Sequence, residues 1–270
     1  MVVGIDIGGS TTDIVGFDGR EVAHPISVTA SDPIASAAGA LGRFLDAGGY
    51  SLSSIRQIGI TGVGATHLGH TLLGIPVVSV DEFTCIGRGG TFLAGVDDAI
   101  VVSMGTGTAI VHVRGGHATH WGGTGVGGGT LAGLARSILG TTEIRTVVDL
   151  AKEGSLARVD LTVGEIAGGP VNGLPPTATA ANFARVSDRT SKPDVALGLI
   201  NLVCQTIGVL AVSAARETGS DLIILTGKVS ELPQARPIFD SLGKLYGRKM
   251  QLPEHAGSAT AVGAAVSIWK

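Results

Sequence analysis

The chain has 270 residues, of which 44% are hydrophobic and 15% are charged, and its formal net charge is −3. This apolar fraction is enough for a sizeable core and excludes a disordered chain. The small negative charge and an aromatic content of 4% provide neither the basic patch nor the stacking surface typical of nucleic-acid-binding proteins. The sequence starts without a signal-peptide pattern, and the most apolar stretch, 195–215, contains polar residues that favour a buried helix. We therefore expect a cytoplasmic protein that does not bind membranes.

The first part of the chain is predicted to form a meander of strands followed by alternating helices and strands. Asp18 and Gly19 favour a hairpin turn between the second and third strands. A helix is predicted to begin at Pro33, because Ser31 and Asp32 can cap it, and to end at Gly48–Gly49. The remaining elements predicted here are strands at 2–7, 12–17, 21–28, 55–60 and 76–80 and helices at 65–73 and 82–94.

The same order of elements starts again near residue 98. Strands are predicted at 99–104, 108–113, 117–121 and 221–226, and helices through about 139 and at 143–153, 195–218, 231–246 and 258–268. The repeat predicts an α/β fold with mixed sheets, each containing an antiparallel meander. It also predicts two subdomains, 1–97 and 98–270, that face each other across a cleft.

The first turn of each half is rich in glycine and hydroxyl groups. Glycines let backbone N–H groups approach a phosphate closely, and hydroxyls add hydrogen-bond donors. Asp6, at the end of the first strand, can hold Mg²⁺ directly or through water. One such turn is as consistent with an ordinary hairpin as with phosphate binding, but two turns that open similar halves can hold one polyphosphate between them. Their predicted phosphate-binding residues are Gly8, Gly9, Ser10 and Thr11 in the first half and Gly105, Thr106, Gly107 and Thr108 in the second.

A third glycine-rich segment, 122–129, leads into a helix. A helix N-terminus with free N–H groups attracts anions, although close packing of the helix would also require glycine. Four stretches, 4–9, 104–108, 122–129 and 179–183, resemble the type II pantothenate kinases of the actin-like, sugar-kinase-like ATPase superfamily. The resemblance covers almost the whole chain. It implies a two-domain actin-like (ribonuclease H-like) fold, a homodimer, and ATP- and Mg²⁺-dependent phosphorylation of pantothenate to 4′-phosphopantothenate in coenzyme A biosynthesis.

The resemblance also implies roles for individual residues. Glu82 corresponds to the general base that accepts the proton of the acceptor hydroxyl, although at the start of a helix it could also only complement the macrodipole. Gly125, Gly127, Gly128 and Gly129 would approach the nucleotide, and Gly227 would lie near adenosine. The predicted acceptor-binding residues are Thr106, Arg88, His120 and Trp121.

Three positions depart from the family pattern. Asp13 stands where the family usually has a lysine, His120 where it has an arginine that contacts pantothenate, and Thr84 where it has an aspartate. Because histidine lacks the bidentate guanidinium fork, a paralogous kinase for another hydroxyl compound, such as a pantetheine-like acceptor, is a competing hypothesis.

A second competing hypothesis belongs to another class of protein. The segment 4–12 is also similar to that of dehydratase activators and hydantoinase-type proteins, which suggests a nucleotide-dependent activator or regulatory ATPase. Dehydratase activators hold an iron–sulfur cluster with cysteines, whereas Cys85 and Cys204 lie in stretches that do not resemble those ligand motifs. A third hypothesis is a partner protein that binds ATP without turnover.

Overall fold

Two mixed β-sheets organise the chain in the computed structural model, which describes residues 1–29 and 31–270. The first sheet has six strands in the order β3-β2-β1-β4-β6-β5. The meander β1–β3 is antiparallel, and β4 and β6 then add in parallel to β1. Its strands are β1 (Val2–Ile7), β2 (Thr12–Phe17), β3 (Val22–Val28), β4 (Gln57–Thr61), β5 (Thr71–Leu72) and β6 (Ile75–Ser79).

Helix α1 (Pro33–Gly48) covers one face of this sheet, as predicted. The Asp32 carboxylate caps it by accepting a hydrogen bond from the backbone N–H of Ala35 at 2.7 Å. Its apolar residues Leu41 and Phe44 pack into a core with Ile5, Ile14 and other residues of the sheet. The helix ends where Gly49 takes up a left-handed conformation.

The second sheet has five strands in the order β13-β12-β7-β8-β9. Its meander β7–β9 is antiparallel, and β12 and β13 add in parallel to β7. The two sheets therefore share one order of strands, which confirms the predicted α/β fold class with a meander in each half. Its strands are β7 (Ala99–Met104), β8 (Thr108–Arg114), β9 (His117–Thr124), β12 (Leu222–Thr226) and β13 (Lys249–Gln251).

The long helix α6 (Lys192–Thr218) forms the centre of the core on this second sheet. By length and apolarity alone it could span a membrane, but 67% of its most apolar stretch is buried inside the protein, as expected for a core helix. Helices α3 (Gly128–Leu139), α4 (Ile144–Ala151) and α7 (Ala235–Tyr246) pack around it. The small two-stranded sheet of β10 (Leu161–Thr162) and β11 (Thr179–Ala181) and the short helix α5 (Val163–Ala167) were not predicted.

Two helices connect the halves by packing on the sheet formed by the other part of the chain. Helix α2 (Glu82–Ala94) lies on β7, β8, β9 and β12, whereas α8 (Ala259–Ile268) lies on β1, β2 and β4. The two helices cross in close contact, because a Cβ on Gly89 would overlap the carbonyl of Ala259 and a Cβ on Gly263 would overlap that of Cys85. The division into subdomains at residue 97 thus stays a prediction. In the structure, each sheet is covered by one helix from the part of the chain on the other side of that boundary.

Two predicted helices differ from the structure. Residues 65–73 were predicted as one helix, but a 3₁₀ turn (Val63–His67) is followed by β5, which pairs with β6 through a tight turn at Leu73–Gly74. Both turn residues have positive φ angles of 50° and 82°, which end any helix. The helix predicted over 231–246 is a 3₁₀ turn (Lys228–Glu231) followed by α7. Leu232 separates them because it precedes Pro233 and is extended.

Candidate functional site

A cleft of about 480 Å³ lies between the ends of the two sheets, within the size range of small-molecule sites. Both halves contribute to its wall. Besides Glu82 and Gly227, all predicted residues of the first two turns line it: Asp6, Gly8, Gly9, Ser10, Thr11, Gly105, Thr106, Gly107 and Thr108. The fold therefore brings together groups that are far apart in sequence, because strand ends from both sheets meet at this edge.

Asp6 and Asp13 form an acidic pair at the first end of the cleft. They stand directly opposite each other on the antiparallel strands β1 and β2, so both side chains lie on the same face of the sheet. Burial, and then the charges of Asp13 and Glu82, raise the pKa of Asp6 to about 7, while Lys228 acts in the opposite direction. Such a crowded group of carboxylates favours a cation beside it.

The two glycine-rich turns touch each other. The hydroxyl groups of Ser10 and Thr106 form a hydrogen bond of 3.0 Å across the cleft. In the second turn, Thr108 Oγ1 donates to the carbonyl of Val126 at 2.8 Å. The turns are thus held as opposed walls of one narrow space, which is the arrangement needed to hold a polyphosphate from two sides.

The third glycine segment lies behind the second turn instead of in the cleft wall. The backbone N–H groups of Gly128 and Gly129 donate to the carbonyls of Gly105 and Thr106 at 2.8 and 2.9 Å. A Cβ on Gly127 would come within 2.6 Å of the Thr106 carbonyl. None of Gly125, Gly127, Gly128 or Gly129 is among the described residues that line the cleft. In this structure the glycines let α3 approach and support the turn.

Glu82 enters the cleft from the first turn of α2. The helix cap is supplied by its neighbour Asp81, whose carboxylate accepts hydrogen bonds from the N–H and Oγ1 of Thr84 at 2.8 and 2.9 Å. Because Asp81 caps the helix, the carboxylate of Glu82 is left to face the cleft. Partial burial, and then the charge of Asp81, raise the pKa of Glu82. A raised pKa suits a carboxylate that has to accept a proton.

The predicted acceptor residues separate into two groups. Thr106 lines the cleft, whereas Arg88, His120 and Trp121 do not. The His120 ring stacks on Phe83, next to Glu82, with 4.0 Å between the ring centroids, so it borders the base through one intervening ring. Trp121, the next residue on the strand, packs against the core between α6 and the second sheet, and its Nε1 donates a hydrogen bond to Glu217 at 3.2 Å. Arg88 is exposed on α2.

Next to Gly227, which the resemblance predicts, the structure places residues in the cleft that the sequence did not point to. Gly227 follows β12 with a φ angle of 83°, and a Cβ there would come within 2.5 Å of the Met104 carbonyl. The next residue, Lys228, reaches across to Asp13, with 2.7 Å between Nζ and Oδ1. Ser103, Thr124 and Thr260 add further polar groups. The repeated pattern of strand, glycine and 3₁₀ turn, found also at Gly62, is the signal that could have revealed Lys228.

A larger cavity of about 750 Å³ lies between α6, α7 and the loop before β11. None of the predicted site residues lines it, and Lys244 is the one charged residue among the described residues of its wall. The stretch 179–183, which contributed to the resemblance, is held nearby because Asn182 Nδ2 and the N–H of Phe183 both donate to the buried carboxylate of Asp160. This stretch therefore has a structural role at the base of α6.

The two cysteines are both buried, one in α2 and one in α6. Burial raises the pKa of the Cys85 thiol and of the Cys204 thiol to about 12. Iron–sulfur ligation needs thiolates grouped around the cluster. Among the described residues, neither cysteine belongs to a group of three or more potential metal ligands.

The sequence and the fold both have known counterparts. The model of the Fumble family matches residues 98–265. A type II pantothenate kinase of Bacillus cereus is 28% identical over 222 residues, which cover 78% of this chain and 81% of that one. Component A of the (R)-2-hydroxyglutaryl-CoA dehydratase of Acidaminococcus fermentans has a similar fold, with a TM-score of 0.72 at 18% identity over 98% of this chain and 96% of that chain.

A further fold match is a ROK family glucokinase from Streptomyces griseus, solved with glucose and AMPPNP. Its TM-score is 0.62 at 16% identity, and the match covers 98% of each chain. These solved structures confirm the predicted actin-like ATPase fold. Together with the sequence relatives, they identify the chain as a kinase-type ATPase of that fold.

Proposed function

The chain belongs to the Fumble family of type II pantothenate kinases, and from this premise we propose that it transfers the γ-phosphoryl group of ATP to the hydroxyl of pantothenate. The product is 4′-phosphopantothenate, a step in coenzyme A biosynthesis. One observation carries the proposal: two facing glycine and hydroxyl turns and the carboxylate of Glu82 line a single cleft. A phosphoryl transfer needs this combination of phosphate positioning and a proton acceptor.

The nucleotide phosphates lie between the turns 8–11 and 105–108, and the adenosine lies toward Gly227. Backbone N–H groups and hydroxyls of the turns stabilise the negative charge that spreads over the phosphoryl oxygens during transfer. The hydrogen bond between Ser10 and Thr106 keeps the turns at a fixed separation. The glycines at 127–129 act by supporting the second turn.

The donor set of the cleft fits Mg²⁺, which prefers carboxylate oxygens, phosphates and water. Asp6 and Asp13 provide two neighbouring carboxylates. Burial, and then the charges of Asp13 and Glu82, raise the pKa of Asp6 to about 7, and a divalent cation would offset the repulsion between these charges. Among residues 1–29 and 31–270, no group of three or more potential ligands could hold a metal by itself. We infer that Asp6 holds the ion with the help of water and the nucleotide. Bound Mg²⁺ would neutralise charge on the phosphates.

Glu82 acts as the general base. Its carboxylate accepts the proton of the acceptor hydroxyl while the hydroxyl oxygen forms a bond to the γ-phosphorus. The acceptor lies on the side of the cleft where Glu82, Phe83 and His120 meet, with Thr106 as a further polar contact. The His120 ring, which stacks on Phe83, stands where the resemblance predicts an arginine. This observation favours a pantetheine-like acceptor, which lacks the carboxylate of pantothenate, as the second candidate substrate.

The test is the rate of ADP release by the purified protein with Mg²⁺ and ATP, with pantothenate, with pantetheine and without an acceptor. Mass spectrometry of the acceptor identifies the phosphorylated product. Stimulation by pantothenate supports the main proposal, and stimulation by pantetheine alone supports the second candidate. ATP binding without stimulation by either compound contradicts both, and directs attention to a regulatory ATPase.

The resemblance also leads us to propose a cytoplasmic homodimer. Light scattering of the eluted protein in size-exclusion chromatography measures the mass of the particle. A mass of one chain at micromolar concentration would contradict the dimer.

A further inference from the structure

Lys228 is the only cationic side chain among the described residues that line the cleft. It is the first residue after Gly227, and the left-handed glycine aims the following 3₁₀ turn into the cleft. Its Nζ lies 2.7 Å from Asp13 Oδ1, although Asp13 lies on β2 of the first sheet, Lys228 lies in the turn after β12 of the second, and the two are 215 positions apart. The Lys228 side chain is 38% exposed and that of Asp13 is 9% exposed, so the lysine retains access to a ligand.

The position of Lys228 has a counterpart in the other half. Gly62 follows β4 as Gly227 follows β12, with φ angles of 88° and 83°, and each begins a 3₁₀ turn. The residue after Gly62 is Val63, which also lines the cleft. The cation is therefore found only in the second half. The shared backbone of strand, glycine and 3₁₀ turn does not require it, because the first half has a valine at the equivalent position.

The charge balance of the cleft explains why a cation is needed. Asp6, Asp13 and Glu82 are the carboxylates of its wall, and a triphosphate would add several negative charges to the same space. Like charges in a partly buried site repel strongly because the effective dielectric constant is low. A lysine that stays close to Asp13 offsets one carboxylate, and its remaining N–H donors can bind a phosphate oxygen.

We propose that Lys228 is the phosphate-binding cation of this protein and that Asp13 is the residue that positions it across the cleft. This inference rests on the proposed function, because it assumes that a nucleoside triphosphate binds between the two turns. Lys228 contacts the β- or γ-phosphate, and Asp13 keeps the extended lysine side chain pointed at the turns. The ion pair also connects the two halves across the cleft, so the position of the lysine depends on how the two halves are placed relative to each other.

The test compares binding of a non-hydrolysable ATP analogue with Mg²⁺ and binding of adenosine, both by calorimetry. Lys228→Gln and Lys228→Met are each expected to weaken analogue binding by about tenfold or more, since both remove a charge-assisted hydrogen bond to a phosphate oxygen. Adenosine binding is expected to change less than twofold. Lys244→Met removes an exposed lysine of α7 outside the cleft and is expected to leave both affinities unchanged.

A charge exchange tests the role of Asp13. Lys228→Asp alone places a carboxylate opposite Asp13 and is expected to weaken analogue binding more than Lys228→Gln does. Adding Asp13→Lys returns a lysine to the same place from the other sheet and is expected to restore most of the lost affinity. Analogue binding by Lys228→Gln within twofold of the wild type, or no recovery in the exchanged variant, overturns the inference.

These binding measurements need no acceptor, so they separate the inference from the proposed function. Wild-type protein that binds the analogue but phosphorylates neither pantothenate nor pantetheine contradicts the function and leaves the role of Lys228 open to confirmation by the same variants. Normal pantothenate phosphorylation together with unchanged binding by Lys228→Gln contradicts the inference alone. Adenosine binding reports that each variant is folded.

Discussion

At one end of the cleft the strand pair β1–β2 presents two opposed carboxylates, Asp6 and Asp13. At the other end the equivalent pair β7–β8 presents Ser103 and Ala109 in the same register. Both pairs line the cleft, and both are followed in space by a parallel strand, a left-handed glycine and a 3₁₀ turn. The two ends share a backbone frame and differ in the charge placed on it.

This difference separates two tasks that the fold itself leaves equivalent. The first half, with Asp6, Asp13 and Glu82, is suited to a cation and to proton acceptance. The second half, with a neutral turn supported by the glycines at 127–129 and with Lys228 beside it, is suited to phosphate oxygens. The two halves thus have the same backbone arrangement, but different residues at a few equivalent positions suit one half to the cation and the acceptor and the other half to the phosphates.

Removal of the base in the acidic half is expected to reduce activity most strongly. Glu82→Gln keeps the size of the side chain but cannot accept a proton, so kcat with the physiological acceptor is expected to fall about 10²–10⁴-fold. Affinity for the ATP analogue is expected to stay within threefold of the wild type. Asp81→Asn is the matched control, because asparagine also caps helices, and it is expected to retain activity. Equal loss in both variants would mean that the helix cap and not the base is being measured.

Asp6→Asn tests the cost of burying the charged Asp6 carboxylate beside Asp13 and Glu82. Because the native state raises the pKa of Asp6 from 3.8 to about 7, it binds a proton more tightly than the unfolded state. The contribution of protonated Asp6 to the free energy of unfolding is fully present below about pH 4 and is lost as the pH rises through about 7. The upper bound of this contribution is about 4 kcal/mol. In Asp6→Asn this loss is absent, so the variant is expected to be more stable than the wild type near pH 8 without nucleotide or Mg²⁺.

Urea unfolding of both proteins near pH 5 and near pH 8 measures this effect. If the free energy of unfolding changes by the same amount between the two pH values in the wild type and in Asp6→Asn, Asp6 is not the responsible group. Phosphoryl transfer by Asp6→Asn is expected to fall at every pH, since an amide does not replace the carboxylate beside Mg²⁺.

The helix crossing that joins the halves gives the next effect. Gly263→Ala adds a methyl group that would overlap the Cys85 carbonyl, so the free energy of unfolding is expected to fall by about 1–3 kcal/mol. Gly42→Ala in α1 is the control, because nothing lies within 4 Å of a Cβ there. It is expected to stabilise the protein by about 0.5–1 kcal/mol. Denaturant midpoints of the two variants check both signs, and a stable Gly263→Ala would contradict the close crossing.

The smallest effect concerns the contact between the turns. Ser10→Ala and Thr106→Ala each remove one partner of the exposed 3.0 Å hydrogen bond. In a double-mutant cycle on KM for ATP, the coupling is expected to be about 0.5–1 kcal/mol. Strict additivity of the two substitutions would show that the turns bind phosphates independently.

The strands and helices could be predicted from the sequence better than the residues of the site. The strands of both meanders and helices α1, α2 and α6 could be recognised because caps, glycine turns and apolar periodicity are local signals. The helix predicted over 65–73 failed because β5 is a two-residue edge strand whose pairing with β6 is invisible in the spacing of apolar residues.

Within the site, the turns, Asp6 and Glu82 could be predicted from residue types at strand and helix ends. For Lys228, the glycine after a strand end marks a position at the cleft, but its ion pair with Asp13 could not be predicted, because the two residues are 215 positions apart. Trp121 was predicted to line the acceptor side together with His120, yet neighbouring residues of a strand point to opposite faces. Trp121 therefore packs toward Glu217 while His120 stacks on Phe83.

We propose that phosphoryl transfer occurs in the cleft between the two strand pairs. A crystal structure with Mg²⁺ and a non-hydrolysable ATP analogue would test this proposal. We expect the triphosphate to lie between the turns 8–11 and 105–108, with Mg²⁺ on the side of Asp6, Lys228 on a phosphate oxygen, and the γ-phosphate facing Glu82. A nucleotide bound in the cavity between α6 and α7, or with its phosphates turned away from Glu82, would contradict it.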